Sequence, residues 1–385
     1  MNVVTAITAQ AIAPFRVEWR PLAQLGPIAA AWRALAACAL EPNVFYEPAF
    51  ALAAAPVFGA DAGAALVWSH SQQLLGFFPL RTERRYGLPV PVLTGWTHPY
   101  APLGVPLVDR GEGEAVIATW LDHMACGAGF PALMLLALVP ETGPFANALA
   151  AVLARRHAAS ATFGHHCRAL LAAGARRDGY VERAIGAKKR KELRRQRNRL
   201  ADAGRLHIAA AREPSEIAGA LADFLALEAA GWKGRAGTAA AKSESIRRFM
   251  ESAVRDLAHE GNVRINRLCV AGRPVAAAVT LRSGGAAWTW KIAYDESFAR
   301  ASPGVQLMLD MTEGLLADTT LAQADSCATA DHPMIDHLWR ERLALSDRLI
   351  ALRPTALPFG FLCRLEALRR GAIAMAKTLR DRLRG

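Results

Sequence analysis

Residues 263–294 of the chain read VRINRLCVAGRPVAAAVTLRSGGAAWTWKIAY. Three runs of β-branched, aromatic and small apolar residues in this stretch are Val263–Ala271, Pro274–Arg282 and Ala286–Tyr294. The residues between them, Gly272-Arg273 and Ser283-Gly284-Gly285, are typical of tight turns. The stretch therefore predicts three consecutive antiparallel strands.

Helix and strand patterns continue on both sides of this meander. Upstream, the predicted elements are a strand at Leu206–Ala211, a helix from Pro214 to about Ala230, and a helix capped by Ser243. Downstream, they are a helix after Ser302-Pro303-Gly304, a strand at Leu321–Cys327, a helix from Pro333 and a strand at Leu345–Leu352. Residues 15–171 give a similar but less regular order, so we predict two tandem domains of one α/β (α+β) plan, each with a mixed, mostly antiparallel sheet flanked by helices.

The predicted segments are a flexible N-terminus (1–14), a first domain (15–175), a basic linker helix (180–203), a second domain (204–352) and a basic amphipathic tail (353–385). The chain has 385 residues, of which 52% are hydrophobic, and a formal net charge of +12. This apolar content excludes global disorder, and the surplus of cations predicts an anionic partner. No stretch approaches the roughly 20 apolar residues that span a bilayer. None of the six cysteines forms a C-x-x-C pair, so no metal site is predicted.

Several short motifs resemble one group of transferases. They are EAAGWKG at residues 228–234, WKIAYD at 290–295, SPGVQL at 302–307, DSC at 325–327 leading to Trp339, the weaker FYEPAF at 45–50, and the basic stretch 188–199. As a set they resemble the GNAT superfamily, in particular its BioF2-like or cellulose-biosynthesis (CelD-type) acetyltransferases, which are related to the two-domain FemAB-type transferases. The resemblance implies two GNAT-like domains and acyl transfer, with the active site in the second domain.

The resemblance also implies a co-substrate, an acyl-CoA or an acyl carrier protein thioester, and no metal. Many GNAT proteins carry Q/R-x-x-G-x-G/A in the pyrophosphate loop, whereas only Gly304 stands there in this chain, with Arg300 upstream. FemAB relatives use aminoacyl-tRNA, so the acyl carrier stays open. Gly304 precedes a helix whose free N–H groups suit a pyrophosphate, and a plain strand-to-helix turn is the alternative. The residues predicted to hold the carrier are Arg300, Ser302, Pro303, Gly304, Val305 and Gln306.

Acyl transfer to an amine needs a proton acceptor for the amine and hydrogen-bond donors for the oxyanion. By the resemblance, the backbone of Ala286–Tyr294 supplies these donors. Asp325 ends a predicted strand and could accept or orient the proton, or instead cap the next segment. Strand alternation places Lys291 opposite Trp288 and Trp290, towards a cleft or towards solvent. The candidate catalytic residues are Asp325, His332, His337, Glu228, Lys291 and Tyr294, and the candidate substrate-binding residues are Trp232, Lys233 and Trp290. For the two histidines, Trp232 and Lys233, an ordinary structural position is the alternative.

Two basic segments suggest further contacts. The run Lys188–Arg199 predicts a solvated helix that docks through Leu193 and Leu200, with donor phosphate or anionic lipid as sharper alternatives. The tail from Phe359 onward alternates apolar and basic residues, which is typical of a helix in a membrane interface or of one docked on the protein body. No aromatic residues interleave with the charge of the basic run, so nucleic acid is not predicted.

The sequence therefore predicts a cytoplasmic N-acyltransferase, free or peripheral at the inner face of the membrane. It would move an acyl group other than an aminoacyl group to an amine of an envelope polysaccharide or of a lipid-type acceptor, such as a sphingoid base or amino-lipid. The competing hypothesis is a catalytically degenerate adaptor of the same fold in an envelope or exopolysaccharide synthesis complex. Acyl-carrier binding distinguishes the two.

Overall fold

The structure, a computed structural model, describes residues 15–86, 90–173 and 179–384, so the predicted N-terminal segment 1–14 lies outside the described residues. The strands are β1 (Phe15–Pro21), β2 (Ala62–Ser69), β3 (Leu74–Arg84), β4 (Pro91–Gly95), β5 (Leu107–Val108), β6 (Leu133–Pro140), β7 (Ser160–Ala172), β8 (Leu206–Ala211), β9 (Val263–Val270), β10 (Arg273–Ser283), β11 (Ala286–Tyr294), β12 (Gln323–Asp325) and β13 (Glu341–Ala351). The helices are α1 (Ala29–Cys38), α2 (Pro48–Phe58), α3 (Gly113–Cys126), α4 (Pro144–Arg155), α5 (Tyr180–Ala184), α6 (Ala187–Asp202), α7 (Pro214–Ala230), α8 (Trp232–Arg235), α9 (Glu244–His259), α10 (Pro303–Ala317) and α11 (Phe359–Arg384).

Within the described residues, the strands form one sheet in the order β1-β2-β3-β4-β6-β13-β7-β12-β11-β10-β9-β8, with β5 beside β3. The first half (β1–β7) and the second half (β8–β13) repeat one pattern. Four antiparallel strands are followed by a parallel pair, which is β4 with β6 in the first half and β11 with β12 in the second. The halves then exchange strands, because β13 lies between β6 and β7, and β7 pairs with β12. The predicted fold class is confirmed.

Helices cover both faces of this sheet. In β3, Phe77 packs on Trp32 of α1 and Phe78 packs on Trp120 of α3, with ring centroids 4.2 Å and 4.0 Å apart. Successive strand residues point to opposite faces, so both faces of β3 are buried. In β10, the alanines Ala276–Ala278 are fully buried between α7 and α10, and their small side chains allow a helix on each side. In the described ranges, no helix combines the length and apolar character needed to cross a membrane.

The elements predicted for the second half are confirmed with one exception. The meander, the helix beginning at Pro214 and the helix beginning after Ser243 all form as predicted. The helix predicted from Pro333 is wrong, since the only helical turn there is a 3-10 turn at Ile335–His337. Because β13 begins at Glu341, few residues remain for a helix, and the apolar side chains of this segment enter the core from the turn.

The basic helix α6 packs beside α10 through the predicted apolar seam, since Leu193 and Leu200 are buried. The Gln306 Nε2 group of α10 donates to the Leu193 carbonyl at 2.9 Å, and Arg197 pairs with Asp310 at 2.9 Å. Both contacts advance four residues along each helix in the same direction, so the two helices run parallel. Their N-terminal ends therefore lie side by side.

A short segment fills the space where β4 and β6 separate in the first half. The two strands pair only at Leu93–Met134 and at Thr94–Leu135. Beyond these pairs, the Gly104 amide donates to the Leu138 carbonyl at 3.0 Å. A Cβ atom at position 104 would overlap the Ala137 carbonyl oxygen and lie 3.3 Å from the Thr97 side chain. Glycine is therefore required at this position by close backbone approach.

We expect Gly104→Ala to lower the free energy of unfolding by about 1–3 kcal/mol, because the added methyl group overpacks this contact. Gly219→Ala is the matched control, since position 219 is exposed in α7 and has open space around it. The control should stabilise by about 0.5–1 kcal/mol through helix propensity. Urea unfolding measures the free energy of unfolding of both variants. Equal values would contradict the close packing of Gly104 against the Ala137 carbonyl.

Candidate functional site

The candidate site lies where β11 and β12 separate in the second half. Their parallel pairing covers only Ala286–Trp288 with Gln323–Asp325, whereas β11 continues to Tyr294. In the part of the chain that the structure describes, β11 has no partner strand on this side beyond Trp288. The first turn of α10 faces the same gap, because a Cβ atom on Gly304 would lie 3.5 Å from the Tyr294 ring. A backbone edge and a helix N-terminus therefore meet at one opening.

A β-bulge turns Lys291 towards this site. The pairing of β10 with β11 shifts register, because Val279 pairs with Lys291 and Thr280 pairs with Thr289, which leaves Trp290 as the extra residue. The predicted alternation is wrong at this point, since both Trp290 and Lys291 contact Tyr100. The Trp290 indole N–H donates to the Tyr100 carbonyl at 2.8 Å, and the Lys291 ammonium lies 4.2 Å from the Tyr100 ring centroid.

The electrostatic surroundings of Lys291 lower its pKa to about 8. Burial is the largest cause, and the neighbouring Lys233 ammonium lowers the pKa further, whereas Glu228 and Cys327 raise it. Burial disfavours the charged form of a lysine, because the ammonium loses its hydration. With a pKa of about 8, roughly a tenth of the Lys291 side chains are uncharged at pH 7, and the fraction rises to about half at pH 8. A lysine in this state can accept a proton, and a lysine of ordinary pKa cannot do so efficiently.

The EAAGWKG stretch supplies the neighbours of Lys291. Glu228 is 6% exposed, and its two carboxylate oxygens accept from the Lys233 ammonium at 2.8 Å and from the Ala240 amide at 2.9 Å. The short α8 begins directly after Gly231, which brings Lys233 back onto Glu228. Trp232 projects outward with 58% exposure beside Tyr294, which is 37% exposed. Trp232, Lys233 and Tyr294 therefore form an aromatic and charged rim at the opening.

The first half contributes a loop to this site. Burial, followed by the Glu228 carboxylate, raises the Tyr100 pKa to about 12, so the phenol stays protonated. His98 stacks on Phe58 at 4.1 Å between ring centroids. Burial and then the charges of Arg81 and Lys291 lower the His98 pKa to about 3, so this imidazole is neutral. The loop therefore presents an uncharged surface to Lys291, which adds to the desolvation of the ammonium.

Asp325 takes part in a buried ion pair with Arg168 of β7. Their side chains are 5% and 3% exposed, and Asp325 also accepts from the Cys327 amide at 2.9 Å. Arg168 donates a second hydrogen bond to the Pro102 carbonyl at 2.8 Å. The Asp325 carboxylate is thus held between a guanidinium and a backbone amide, and it borders a cavity of about 330 Å³ that Trp288 and Arg342 also line.

The other predicted residues lie around the opening in different settings. His332 accepts from the Met334 amide at 3.3 Å, and His337 is exposed. Trp290 is 4% exposed and packs on Phe50 and Phe249 in the core. Among the predicted carrier-binding residues, Gln306 is buried and holds α6, Pro303 and Gly304 are buried in the first turn of α10, Ser302 and Val305 are half-buried, and Arg300 is exposed. Tyr100 and Arg168, which the sequence did not predict, have no local signal that distinguishes them.

We expect Asp325→Asn to lower the free energy of unfolding by about 3–5 kcal/mol, because it leaves the Arg168 charge buried without a counter-ion. Asp223→Asn is the control, since Asp223 pairs with Arg267 at 2.6 Å in a partly exposed setting. Its cost should stay below about 1 kcal/mol. Both values come from urea unfolding followed by circular dichroism. If Asp325→Asn lowers the free energy of unfolding as little as Asp223→Asn does, the ion pair of Asp325 with Arg168 does not stabilise the fold.

Residues 187–332 match the family model described as "Acetyltransferase (GNAT) domain". This range contains α6, the meander, the opening between β11 and β12, and α10. Comparison with curated protein sequences gives no match to this chain.

Three solved structures share the fold at low sequence identity. A conserved protein of unknown function from Bacteroides thetaiotaomicron is 12% identical with a TM-score of 0.54, and covers 88% of this chain and all of its own (100%). FemX is 9% identical with a TM-score of 0.53, and the match covers 84% of this chain and 95% of FemX. The C-terminal domain of a protein described as a lysylphosphatidylglycerol synthetase of Agrobacterium fabrum is 12% identical with a TM-score of 0.52, covering 84% and 91%. Residues 187–332 thus match a GNAT acetyltransferase domain, and they lie within a two-half fold that the chain shares with FemX.

Proposed function

We propose that this protein is an N-acyltransferase that moves an acyl group from a thioester to an amine at the opening between β11 and β12. The observation that carries the proposal is Lys291, whose side chain lies at this opening with its pKa lowered to about 8. The BioF2-like or cellulose-biosynthesis branch of the GNAT superfamily fits this activity. The donor is an acyl-CoA or acyl carrier protein thioester, and the acyl group is not an aminoacyl group.

Each part of the site has one role in the proposed reaction. Uncharged Lys291 accepts a proton from the acceptor ammonium, which frees the nitrogen lone pair for attack on the thioester carbonyl. The N–H groups of the unpaired β11 edge stabilise the oxyanion that forms. After the attack, the nitrogen carries one proton more than the amide product does, and the departing thiolate takes up this proton as the carbon–sulfur bond breaks. Lys291 releases the first proton to solvent and is ready for the next cycle. Burial has the largest effect on the Lys291 pKa, and Lys233 lowers it further while Glu228 raises it, so these two neighbours are positioning residues.

The activity should increase with pH through a midpoint near 8, because only the uncharged form of Lys291 accepts a proton. Lys291→Met should lower kcat by about 10²-fold or more and remove this pH dependence. Steady-state rates from pH 6 to 10 test this, with thiol release as the readout. Lys242→Met, at an exposed position, is the control and should match the wild type. If Lys291→Arg keeps most of the activity, Lys291 acts as a fixed cation and the general-base role is wrong.

The parallel arrangement of α6 and α10 supports a donor that carries phosphate groups. The Gln306–Leu193 contact sets the register of the two helices, and counting back four residues on each brings Lys189 level with Ser302. Lys188 and Lys189 are exposed beside the first turn of α10. Two helix N-termini and two lysines at one place create a positive potential that attracts phosphate. This arrangement compensates for the missing part of the usual glycine-rich motif.

The double variant Lys188→Glu/Lys189→Glu should raise KM for an acyl-CoA roughly tenfold and leave kcat nearly unchanged, because it reverses charge at a binding surface. The same variant should leave KM for the acyl-pantetheine thioester, which has no phosphate, within a factor of two of the wild type. Lys242→Glu, which reverses one exposed charge outside α6, serves as the control. An equal rise in KM for both donors would contradict phosphate recognition by α6.

The acceptor is an amine on an envelope polysaccharide or on a lipid, such as a sphingoid base or amino-lipid. The exposed rings of Trp232 and Tyr294 support this class, because aromatic faces pack on sugar rings and on hydrocarbon chains alike. If the protein is instead a catalytically degenerate adaptor, the opening should bind no acyl carrier. Saturable binding of an acyl-CoA, with thiol release on addition of an amine, supports the enzyme, whereas no binding of an acyl-CoA, acyl carrier protein or aminoacyl-tRNA supports the adaptor.

A further inference from the structure

The C-terminal helix α11 is docked at its beginning and exposed along its later turns. Leu362 is 1% exposed and packs with Leu349 of β13. Arg370 attaches the helix to the body through Asp347 of β13 at 2.6 Å, and within α11 it also pairs with the buried Glu366 at 2.7 Å. From residue 371 to residue 379, every side chain is exposed. This second part of α11 therefore has a free surface on the described protein.

The exposed part of α11 carries one apolar face. Leu368, Ala372, Met375 and Leu379 follow the spacing i, i+4, i+7 and i+11, which places them in one stripe along the helix. Leu368, Met375 and Leu379 are 70%, 73% and 59% exposed, and the adjacent Ile373 is 54% exposed. A cluster of large apolar side chains at this exposure marks an interaction surface.

The exposed charge along α11 has one sign. Between Phe359 and Leu379, the basic residues are Arg364, Arg369, Arg370 and Lys377, and the only acidic residue is Glu366. Glu366 is fully buried and is neutralised by Arg370 and by Arg85, the latter at 3.3 Å. The solvent therefore meets only positive charge along the described side chains of α11. An apolar stripe on a helix whose exposed charge is all positive matches the interface of a membrane that contains anionic lipid.

We propose that α11 attaches the protein to an anionic lipid surface, with the stripe Leu368–Ala372–Met375–Leu379 inserted among the acyl chains. A second copy of the helix is the competing occupant, since the same spacing occurs in coiled coils. Pairing of two copies through the stripe would bring together two helices whose exposed charge is all positive in the described part of α11, since Glu366 is buried, whereas anionic headgroups neutralise that charge. The attachment itself is independent of catalysis.

Vesicle flotation tests the attachment with the full chain. The wild type should bind vesicles of phosphatidylcholine with phosphatidylglycerol, bind phosphatidylcholine alone at least tenfold more weakly, and lose affinity as salt is added. The triple variant Leu368→Gln/Met375→Gln/Leu379→Gln should lose binding at least tenfold. Ala374→Gln/Thr378→Gln changes exposed positions off the stripe and should bind as the wild type does.

Two results would overturn the proposal. One is equal flotation of the wild type and the triple variant, which would show that the stripe does not contact lipid. The other is a wild-type dimer, seen by sedimentation, that the triple variant converts to a monomer without any binding to anionic vesicles. Unchanged thermal melting of the variants verifies that they fold. Flotation does not require catalysis. The experiment therefore tests membrane attachment even if the proposed acyl transfer is wrong.

Discussion

The parallel pairing of β11 with β12 lasts for three residues, and the chemistry of the second half depends on that short length. A longer pairing would satisfy the backbone of β11 up to Tyr294 and close the opening. Because pairing stops at Trp288, the remaining edge of β11 offers N–H groups at the place where α10 begins. The bulge at Trp290 adds the one side chain that this arrangement requires, since it turns Lys291 towards the same space. Strand register thus decides both the shape of the opening and the group that faces it.

The first half has the same kind of gap beyond its short parallel strand pair, but there the gap is filled. Its parallel pair, β4 with β6, is shorter still, and the gap beyond it is occupied by the segment that contains Gly104. The loop that precedes this segment carries His98 and Tyr100 to the second half, where Tyr100 covers Lys291. A loop of the first half therefore forms one side of the site in the second half. Tyr100 of the first half therefore desolvates Lys291, although the second half alone leaves this lysine beside an opening.

The sequence predicted those features that depend on neighbouring residues. The turn residues Gly272-Arg273 and Ser283-Gly284-Gly285 delimit the meander, and the seven-residue spacing of Leu193 and Leu200 indicates the apolar seam of the basic helix. Features that depend on distant pairing were not predictable in this way. Tyr100 and Trp290 are 190 residues apart, and Arg168 and Asp325 are 157 residues apart. The bulge at Trp290 also has no local signal, because it arises from the register of β10 against β11. The setting of Lys291, and hence its pKa, could therefore not be read from residues 290–295.

Arg168 connects these distant parts. Its guanidinium lies on β7, pairs with Asp325 at the end of β12, and donates to the Pro102 carbonyl two residues from the glycine that fills the first gap. Burying a charge is costly unless it is paired and hydrogen-bonded, so these contacts favour a single arrangement of the three segments. The loop with Tyr100 comes two residues before Pro102, and its position over Lys291 follows from that arrangement. We therefore expect the influence of Asp325 on catalysis to pass through Arg168 and this loop. A loss of the Arg168 pair would then shift the pH midpoint of Lys291 upward, because a displaced Tyr100 would return water to the ammonium.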